Sequence, residues 1–192
     1  MKRGMVSTPP KAAPAIERWS VMSHLQTARL RLTPATAATT VLELSGHERL
    51  GTVLCCAVPA EWPPDDVRDA LPLFEAALRE RPAEVGWWAW YWVATEPSGP
   101  VLVGSGGFKG PPDTSGVVEI GYGTLAPFRR RGFAAEAVAA LTAHALECPL
   151  VRRVEAECHP GNAASAGVLR RCGFAFVGPG TEAGTQRYGR AT

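Results

Sequence analysis

The fold is decided by a stretch in which a strand, a basic turn and a helix follow one another: Leu125-Ala126-Pro127-Phe128-Arg129-Arg130-Arg131-Gly132-Phe133-Ala134. The first N–H groups of a helix have no partner within the helix, and the helix dipole adds partial positive charge there. Small residues at positions 132 and 134 let a phosphate approach the backbone, and arginines add forked cationic donors. The stretch therefore predicts an anion site; the alternative is a solvated basic helix start.

The spacing of this turn separates it from two commoner phosphate-binding motifs. It matches neither the P-loop pattern G-x-x-x-x-G-K-[ST] nor the dinucleotide pattern G-x-G-x-x-G. The basic run is short and the formal net charge is only +2, so we expect no nucleic-acid partner.

Length and composition indicate a globular protein. The chain has 192 residues, of which 46% are hydrophobic and 20% charged, which suits one domain with its own core. Its apolar runs fall short of the ~20 residues that a membrane span needs, and no signal peptide is visible. We therefore expect a cytoplasmic protein with no membrane partner. The five cysteines are odd in number and lack C-x-x-C spacing, so neither a disulfide framework nor a metal site is expected.

Periodicity around the basic turn predicts a strand meander followed by strand–helix–strand–helix–strand. Strands are predicted at Ala28 to Leu32, Trp87 to Thr95, Val101 to Phe108, Val117 to Leu125 and Val151 to Cys158, with short strands at 174–177 and 185–188. Helices are predicted within Ala35 to Leu50 with a break at Gly46, at Val67 to Arg79 with a kink or restart at Pro72, at Phe133 to Glu147 and at Asn162 to Arg171. The order predicts an α/β (α+β) domain over residues 27–192, preceded by a loose arm over residues 1–26.

Three motifs resemble those of the GNAT superfamily of N-acetyltransferases. Arg129 to Ala134 matches the signature [Arg/Gln]-x-x-Gly-x-[Gly/Ala]. The RimJ/RimL-like branch is resembled by Glu119-Ile120-Gly121-Tyr122, by Asn162-Ala163-Ala164-Ser165 and by Cys172-Gly173-Phe174. The resemblance covers roughly Ala28 to the C-terminus. It implies a GNAT-like central mixed, mostly antiparallel sheet flanked by helices, whose fourth and fifth strands splay apart and hold acetyl-CoA in the cleft.

The same resemblance implies a set of residues that bind coenzyme A. The backbone at Leu125 and Ala126 would pair with the pantetheine arm, the amides of Arg130 to Ala134 would hold the pyrophosphate, and Asn162 would contact the pantetheine or adenine side. The full set is Leu125, Ala126, Arg129, Arg130, Arg131, Gly132, Phe133, Ala134, Asn162 and Ser165.

Two residues are candidates for the chemistry. Glu119 has apolar sequence neighbours that would favour proton uptake, so it is a candidate base, directly or through water; the alternative is a surface glutamate. Ser165 follows Asn162 by three residues on one helix face, where it could donate a proton to the leaving thiolate or bind the cofactor; the alternative is a helix-surface serine. Many GNAT enzymes have a tyrosine acid where this chain has Leu169, which excludes a tyrosine acid there.

The stretch Trp87 to Trp92 is predicted to place Trp88, Trp90 and Trp92 on one face of a strand, with Trp87 and Tyr91 on the other. Core packing is the favoured interpretation, and an acceptor pocket is the alternative.

Together these features predict an N-acetyltransferase that moves an acetyl group from acetyl-CoA to a primary amine by direct attack. The acceptor would be a protein N-terminus or a small molecule, and a homodimer is left open. The alternative function is a non-catalytic acyl-CoA-binding regulatory module, which would keep the anion site and lack the chemistry.

Overall fold

The computed structural model describes residues 24–191. Its strands are β1 Leu25–Gln26, β2 Leu30–Pro34, β3 Ala89–Glu96, β4 Gly99–Phe108, β5 Val117–Thr124, β6 Arg153–Cys158, β7 Ala175–Pro179 and β8 Gln186–Ala191. Its α-helices are α1 Ala37–Ser45, α2 His47–Leu54, α3 Asp65–Arg68, α4 Leu71–Glu80, α5 Phe133–Leu146 and α6 Ala163–Arg171. Short 3-10 turns span Pro82–Glu84 and Ala126–Phe128.

The strands form one sheet of eight in the order β1-β2-β3-β4-β5-β6-β8-β7. Every neighbouring pair is antiparallel except β5 and β6, which are parallel. Those two strands pair at only three positions, the last joining Glu119 to Glu155. Beyond it β5 continues along β4 while β6 continues along β8, so a gap opens between them. The predicted mixed sheet with splayed central strands is confirmed.

The element boundaries follow the local sequence signals. Gly46 separates α1 from α2 at φ +148°, and Thr36 closes a capping box at the start of α1. The helix predicted across Pro72 is divided in two: it ends at Arg68 and a new helix begins at Leu71. Proline has no backbone N–H, and only the first turn of a helix leaves that donor without a partner, so Pro72 lies in the first turn of the second helix. The sheet begins at Leu25, two residues inside the segment expected to be a loose arm; residues 1–23 of that arm lie outside the described residues.

The aromatic strand is buried on both of its faces. Trp90 packs edge-on against His144 of α5, with ring centroids 5.7 Å apart, whereas Tyr91 faces α1 on the opposite side. The aromatic side chains of this stretch are all at most 5% exposed: Trp87, Trp88, Trp90, Tyr91 and Trp92. Core packing is therefore confirmed, and the interpretation of this strand as an acceptor pocket is wrong, because no ring face is left open for a ligand.

A carboxyl group is buried beneath the same strand. Glu43 of α1 is only 5% exposed, and its two oxygens accept hydrogen bonds from Trp62 Nε1 and from the Tyr91 hydroxyl, both at 2.8 Å. Burial raises the pKa of Glu43, and the two hydrogen bonds only partly oppose it. The two hydrogen bonds of Glu43 thus join α1 to two other elements, which are the loop before α3 and strand β3.

We predict that Glu43→Gln becomes more stable relative to wild type as the pH rises. The folded-state pKa of Glu43 lies above the unfolded one, so the stabilising effect of its neutral form is complete below the unfolded pKa and is lost as the pH rises through the folded pKa. Glutamine cannot ionise and keeps an oxygen for Trp62.

Urea unfolding of both chains between about pH 4 and pH 8 measures the difference in the free energy of unfolding. Glu48→Gln, at an exposed position of α2, controls for loss of a negative charge. A difference that stays constant or falls with pH would contradict the prediction.

Candidate active site

The basic turn lies at the end of the gap between β5 and β6. Gly132 caps α5 at φ +86°, and Arg130 is also left-handed at φ +61°. These two conformations turn the chain sharply into the helix. Among residues 24–191, no group accepts a hydrogen bond from the N–H groups of residues 130–135. Together with the dipole of a helix of 14 residues, these N–H groups are the donors that an anion site needs, and anion binding at this turn stays a prediction.

The three arginines of this turn have different surroundings. Arg129 donates from Nε to Thr124 O at 3.0 Å, and its Nη2 lies 3.4 Å from Asp66 Oδ2. Arg131 Nη2 lies 2.8 Å from each carboxylate oxygen of Glu96. In the described part of the chain, Arg130 has no hydrogen bond or ion pair, and it is exposed. Arg130 is thus the member of the trio whose charge is available to an anion.

Arg29, in the segment between β1 and β2, also contacts the basic turn. Arg29 Nη1 donates to the carbonyl of Arg131 at 2.9 Å, while its Nη2 pairs with Glu136 at 2.7 Å. The Arg29 guanidinium lies 4.8 Å from the centre of the Phe133 ring. These contacts tie β1–β2 to the first turn of α5, so the N–H groups are oriented without help from a ligand.

The backbone of β5 alternates between β4 and the gap. The N–H of Leu125 donates to Val103 O at 3.0 Å, and Glu119 O accepts from the N–H of Lys109 at 2.9 Å. Since odd-numbered residues of β5 bond to β4, the backbone groups of the even-numbered ones face β6. Tyr122 therefore offers free backbone to the gap, whereas Leu125 is already bonded; Ala126 O likewise accepts from Arg129 N at 3.2 Å. Cofactor binding by Leu125 and Ala126 stays a prediction.

Ser165 and Asn162 are together at the start of α6. The Asn162 side chain accepts from the N–H of Ser165 at 3.0 Å, which makes it the N-cap of the helix. The Ser165 hydroxyl lies 2.9 Å from the hydroxyl of Tyr122 on β5, across the gap. The thiol of Cys158 also contacts Ser165, and burial raises the pKa of that thiol. Asn162 thus caps α6, and its contact with the cofactor stays a prediction.

Glu119 lies on the opposite face of β5 from Tyr122, because side chains alternate along a strand. Its carboxylate forms an ion pair with Lys109, whose Nζ is also 3.9 Å from Glu182, and it is 29% exposed. Its neighbours Val118 and Ile120 are buried under α5 on the other face, so they do not enclose it. The assignment of Glu119 as the base stays a prediction.

The loop between β7 and β8 is fixed beside Glu119. Glu157 Oε1 accepts from the N–H and hydroxyl of Thr181 at 2.7 and 2.9 Å, and Oε2 accepts from the Thr185 hydroxyl at 2.7 Å. Slight burial acts to raise the pKa of Glu157, but these hydrogen bonds outweigh it and lower that pKa to about 2. The carboxylate thus stays charged and holds the loop near the Glu119 face of the cleft.

Sequence reasoning missed Tyr122 as a member of this site. It was visible only as one letter of the motif Glu119-Ile120-Gly121-Tyr122, and its partner Ser165 is 43 residues away along the chain. Because side chains alternate along a strand, Tyr122 is expected on the face opposite Glu119. Alternation does not predict that this face lies against α6.

Within residues 24–191, no helix is long and apolar enough to cross a membrane. The same residues contain no group of three His, Cys, Asp or Glu side chains suited to a metal ion.

Known proteins resemble this chain in sequence and fold. The uncharacterized N-acetyltransferase YjdG of Bacillus subtilis (strain 168) is 34% identical over 114 residues, covering 59% of this chain and 67% of that protein. Two solved structures share the fold with a TM-score of 0.57 each. RimL, a ribosomal L7/L12 alpha-N-protein acetyltransferase in complex with coenzyme A, is 17% identical over 86% of this chain and 95% of that one. The microcin C7 self-immunity acetyltransferase MccE, in complex with acetyl-CoA and AMP, is 16% identical over 86% and 94%.

The family comparison covers the site as well as the fold. The acetyltransferase (GNAT) domain matches residues 29–175, which include β5, the basic turn, α5 and α6. The chain therefore belongs to the GNAT family of acetyltransferases.

Proposed function

We propose that this chain is an acetyl-CoA-dependent N-acyltransferase that moves an acetyl group to a primary amine by direct attack. The observation that carries the proposal is the gap between β5 and β6, which joins an anion site at one end to Ser165 and Glu119 on its two faces. An extended ligand with a pyrophosphate and a reactive thioester has the shape and charge that this gap accommodates. Membership of the GNAT family and the acetyl-CoA complex of MccE support the same cosubstrate.

The residues that would hold coenzyme A are those around the basic turn. The free N–H groups of residues 130–135 would bind the pyrophosphate, and the unpaired guanidinium of Arg130 would add charge. Gly132 and Ala134 keep bulk away from the phosphate, and the backbone of Tyr122 would pair with the amide groups of the pantetheine arm as an added strand does. Asn162 and Ser165 would then lie beside the thioester end.

The two faces of the sheet would divide the chemistry between them. On the face of α1 and α3, Glu119 would accept the proton of the attacking amine, directly or through a water molecule. On the face of α5 and α6, the Ser165 hydroxyl would donate a hydrogen bond to the sulfur as the C–S bond breaks and its electron pair leaves on sulfur. The gap would let the amine with Glu119 and the Ser165 hydroxyl approach one thioester group from opposite sides.

The acceptor is proposed to be a protein N-terminus or a small-molecule amine. The printed name of RimL describes an enzyme that acetylates the α-amine of a ribosomal protein, which favours including peptide N-termini among the acceptors. The side of the cleft that would receive the acceptor is built by the loops around α3 and between β7 and β8, whose sequences differ most freely among folds of one type.

Turnover with a broad set of amines tests the proposal. We expect the release of free thiol from acetyl-CoA above background hydrolysis, together with a product heavier by one acetyl group in mass spectrometry, for at least one acceptor among peptides, amino acids, polyamines and aminoglycosides. Acetyl-CoA binding without turnover for any amine would instead identify a non-catalytic acyl-CoA-binding module. The absence of a rise in melting temperature at millimolar acetyl-CoA would contradict both functions.

We predict that Arg130→Ala weakens acetyl-CoA binding more than Arg131→Ala does. Arg130 is free to pair with phosphate, whereas the Arg131 guanidinium already pairs with Glu96. A lost charge-assisted contact of this kind costs about 1.5–3 kcal/mol, or roughly tenfold or more in affinity. Isothermal titration with acetyl-CoA at low and high salt measures the effect, which should shrink as salt increases. Equal affinities of the two variants would refute this assignment of the free cation.

Glu119→Gln is predicted to lower kcat by about 100-fold or more while leaving the affinity for acetyl-CoA unchanged, because the amide cannot accept a proton. Glu182→Gln is the matched control, since Glu182 also lies near Lys109 but is 72% exposed. Steady-state rates with the best amine of the set, together with acetyl-CoA titrations, measure both effects. Full activity of Glu119→Gln would remove this residue as the base and leave the proton to water.

A further inference from the structure

A tyrosine and a serine are joined across the gap on the side of α5 and α6. The hydroxyls of Tyr122 and Ser165 are 2.9 Å apart, and the Tyr122 hydroxyl lies 3.2 Å from the carbonyl oxygen of Ser165. No other hydrogen bond joins the side chains of β5 to α6 in residues 24–191. The pair spans the place where β5 and β6 have already separated.

The position of Tyr122 depends on a space that two glycines leave free. A Cβ at Gly106 would lie 2.5 Å from the Cβ of Tyr122 and 2.7 Å from the Trp92 indole. A Cβ at Gly104 would lie 2.8 Å from the same indole. The bare backbone of β4 therefore lets the Trp92 ring and Tyr122 share one layer, so that Tyr122 is directed toward α6 by packing and not only by its hydrogen bond.

The surroundings favour a tyrosine that keeps its proton. Burial raises the pKa of Tyr122 above its ordinary value, and the hydrogen bond with Ser165 only partly opposes this. The thiols of Cys158 and Cys172 are also near, and burial raises the pKa of each of them. A protonated phenol has one hydrogen to give, and both oxygens of Ser165 are within reach of it.

We infer that Tyr122 is a positioning residue for acyl transfer: its hydroxyl donates to Ser165 Oγ and thereby directs the Ser165 hydrogen toward the leaving sulfur of coenzyme A. This inference rests on the proposed function. When the amine nitrogen bonds to the acetyl carbon, the C–S bond breaks and its electron pair leaves on sulfur, while the amine proton passes to Glu119 or water. The thiolate accepts a hydrogen bond from Ser165, and a hydroxyl that itself accepts a hydrogen bond is a stronger donor.

If Tyr122 did not donate to Ser165 Oγ, the Ser165 hydrogen would not be directed toward sulfur. If Tyr122 donated to the carbonyl of Ser165, the Ser165 hydroxyl would donate to Tyr122 and would have no hydrogen for sulfur. Elsewhere on α6, Leu169 is apolar and fully buried, so the next turn of the helix supplies no second hydroxyl. The orientation of the Ser165 hydrogen is therefore the property on which Tyr122 acts.

The test is a double-mutant cycle of Tyr122→Phe, Ser165→Ala and the variant that combines them. Phenylalanine keeps the aromatic ring and removes only the hydroxyl. Tyr188→Phe is the control, because Tyr188 is another buried tyrosine, with a side-chain hydrogen bond to Gln186 on its own strand at 3.2 Å. For each chain we would measure kcat, KM for acetyl-CoA and the rise in melting temperature caused by acetyl-CoA.

We expect Tyr122→Phe to lower kcat about tenfold or more and to leave KM for acetyl-CoA within about twofold. The combined variant should lose no more than Ser165→Ala alone, because residues that act as a unit are not additive. Tyr188→Phe should retain wild-type kcat. The inference is overturned by wild-type kcat in Tyr122→Phe, by losses that multiply in the combined variant, or by a loss of kcat accompanied by a lost melting-temperature shift, which would indicate a structural role.

The same measurements separate this inference from the proposed function. A wild-type chain that binds acetyl-CoA and acetylates no amine overturns the function and the inference with it. An active wild-type chain with a fully active Tyr122→Phe variant overturns the inference alone.

Discussion

The site depends on how briefly β5 and β6 are paired. Three parallel positions hold the two halves of the sheet together, and after Glu119 and Glu155 each strand follows a different neighbour. A longer parallel ladder would use the backbone groups of β5 that now face the gap. Unpaired strand edges usually invite aggregation, but here the edge lies inside the sheet, next to a helix N-terminus. A ligand that is extended at one end and anionic at the other can use both features at once.

The separation of β5 and β6 also leaves different candidate groups on the two sides of the sheet. Since successive side chains of β5 alternate, Glu119 and Tyr122 cannot share a face. The α5 and α6 side carries the basic turn, Ser165 and Tyr122, and the α1 and α3 side carries Glu119. A thioester held in the gap would be exposed to both sides, so an amine and a leaving thiolate would not compete for the same space.

Much of this arrangement could be predicted from the sequence, because the deciding signals are local. Gly132 and the arginines mark a turn and a helix start, and Asn162 marks the next helix start. Alternation correctly separated Trp90 from Tyr91, but the prediction that Trp88 shares the face of Trp90 is wrong. Trp88 lies before β3 begins and packs against Phe74 of α4, whereas Trp90 packs against His144 of α5. What local patterns could not supply were partners distant along the chain. Nothing near Arg131 indicates Glu96, and nothing near Tyr122 indicates Ser165. Glu119 shows the same limit: its apolar sequence neighbours are on the other face of the strand, and its neighbour in the structure, Lys109, directly follows β4.

Partners distant along the chain explain why the three arginines of the basic turn have different surroundings: Arg129 contacts Asp66 and Arg131 contacts Glu96. Holding a turn of two left-handed residues in one conformation costs conformational entropy. Carboxylates on α3 and β3 hold Arg129 and Arg131, and Arg29 holds the carbonyl of Arg131, so the turn is ordered without a ligand. Preorganised donors bind a charged group more tightly than donors that must be ordered on binding. Arg129 and Arg131 thus hold the turn through contacts within the protein, and Arg130 is the arginine of this turn that would bind the proposed ligand. The contact of Arg129 with Asp66 also links α3 to the basic turn, so the loop proposed to border the acceptor is joined to the turn that would hold coenzyme A.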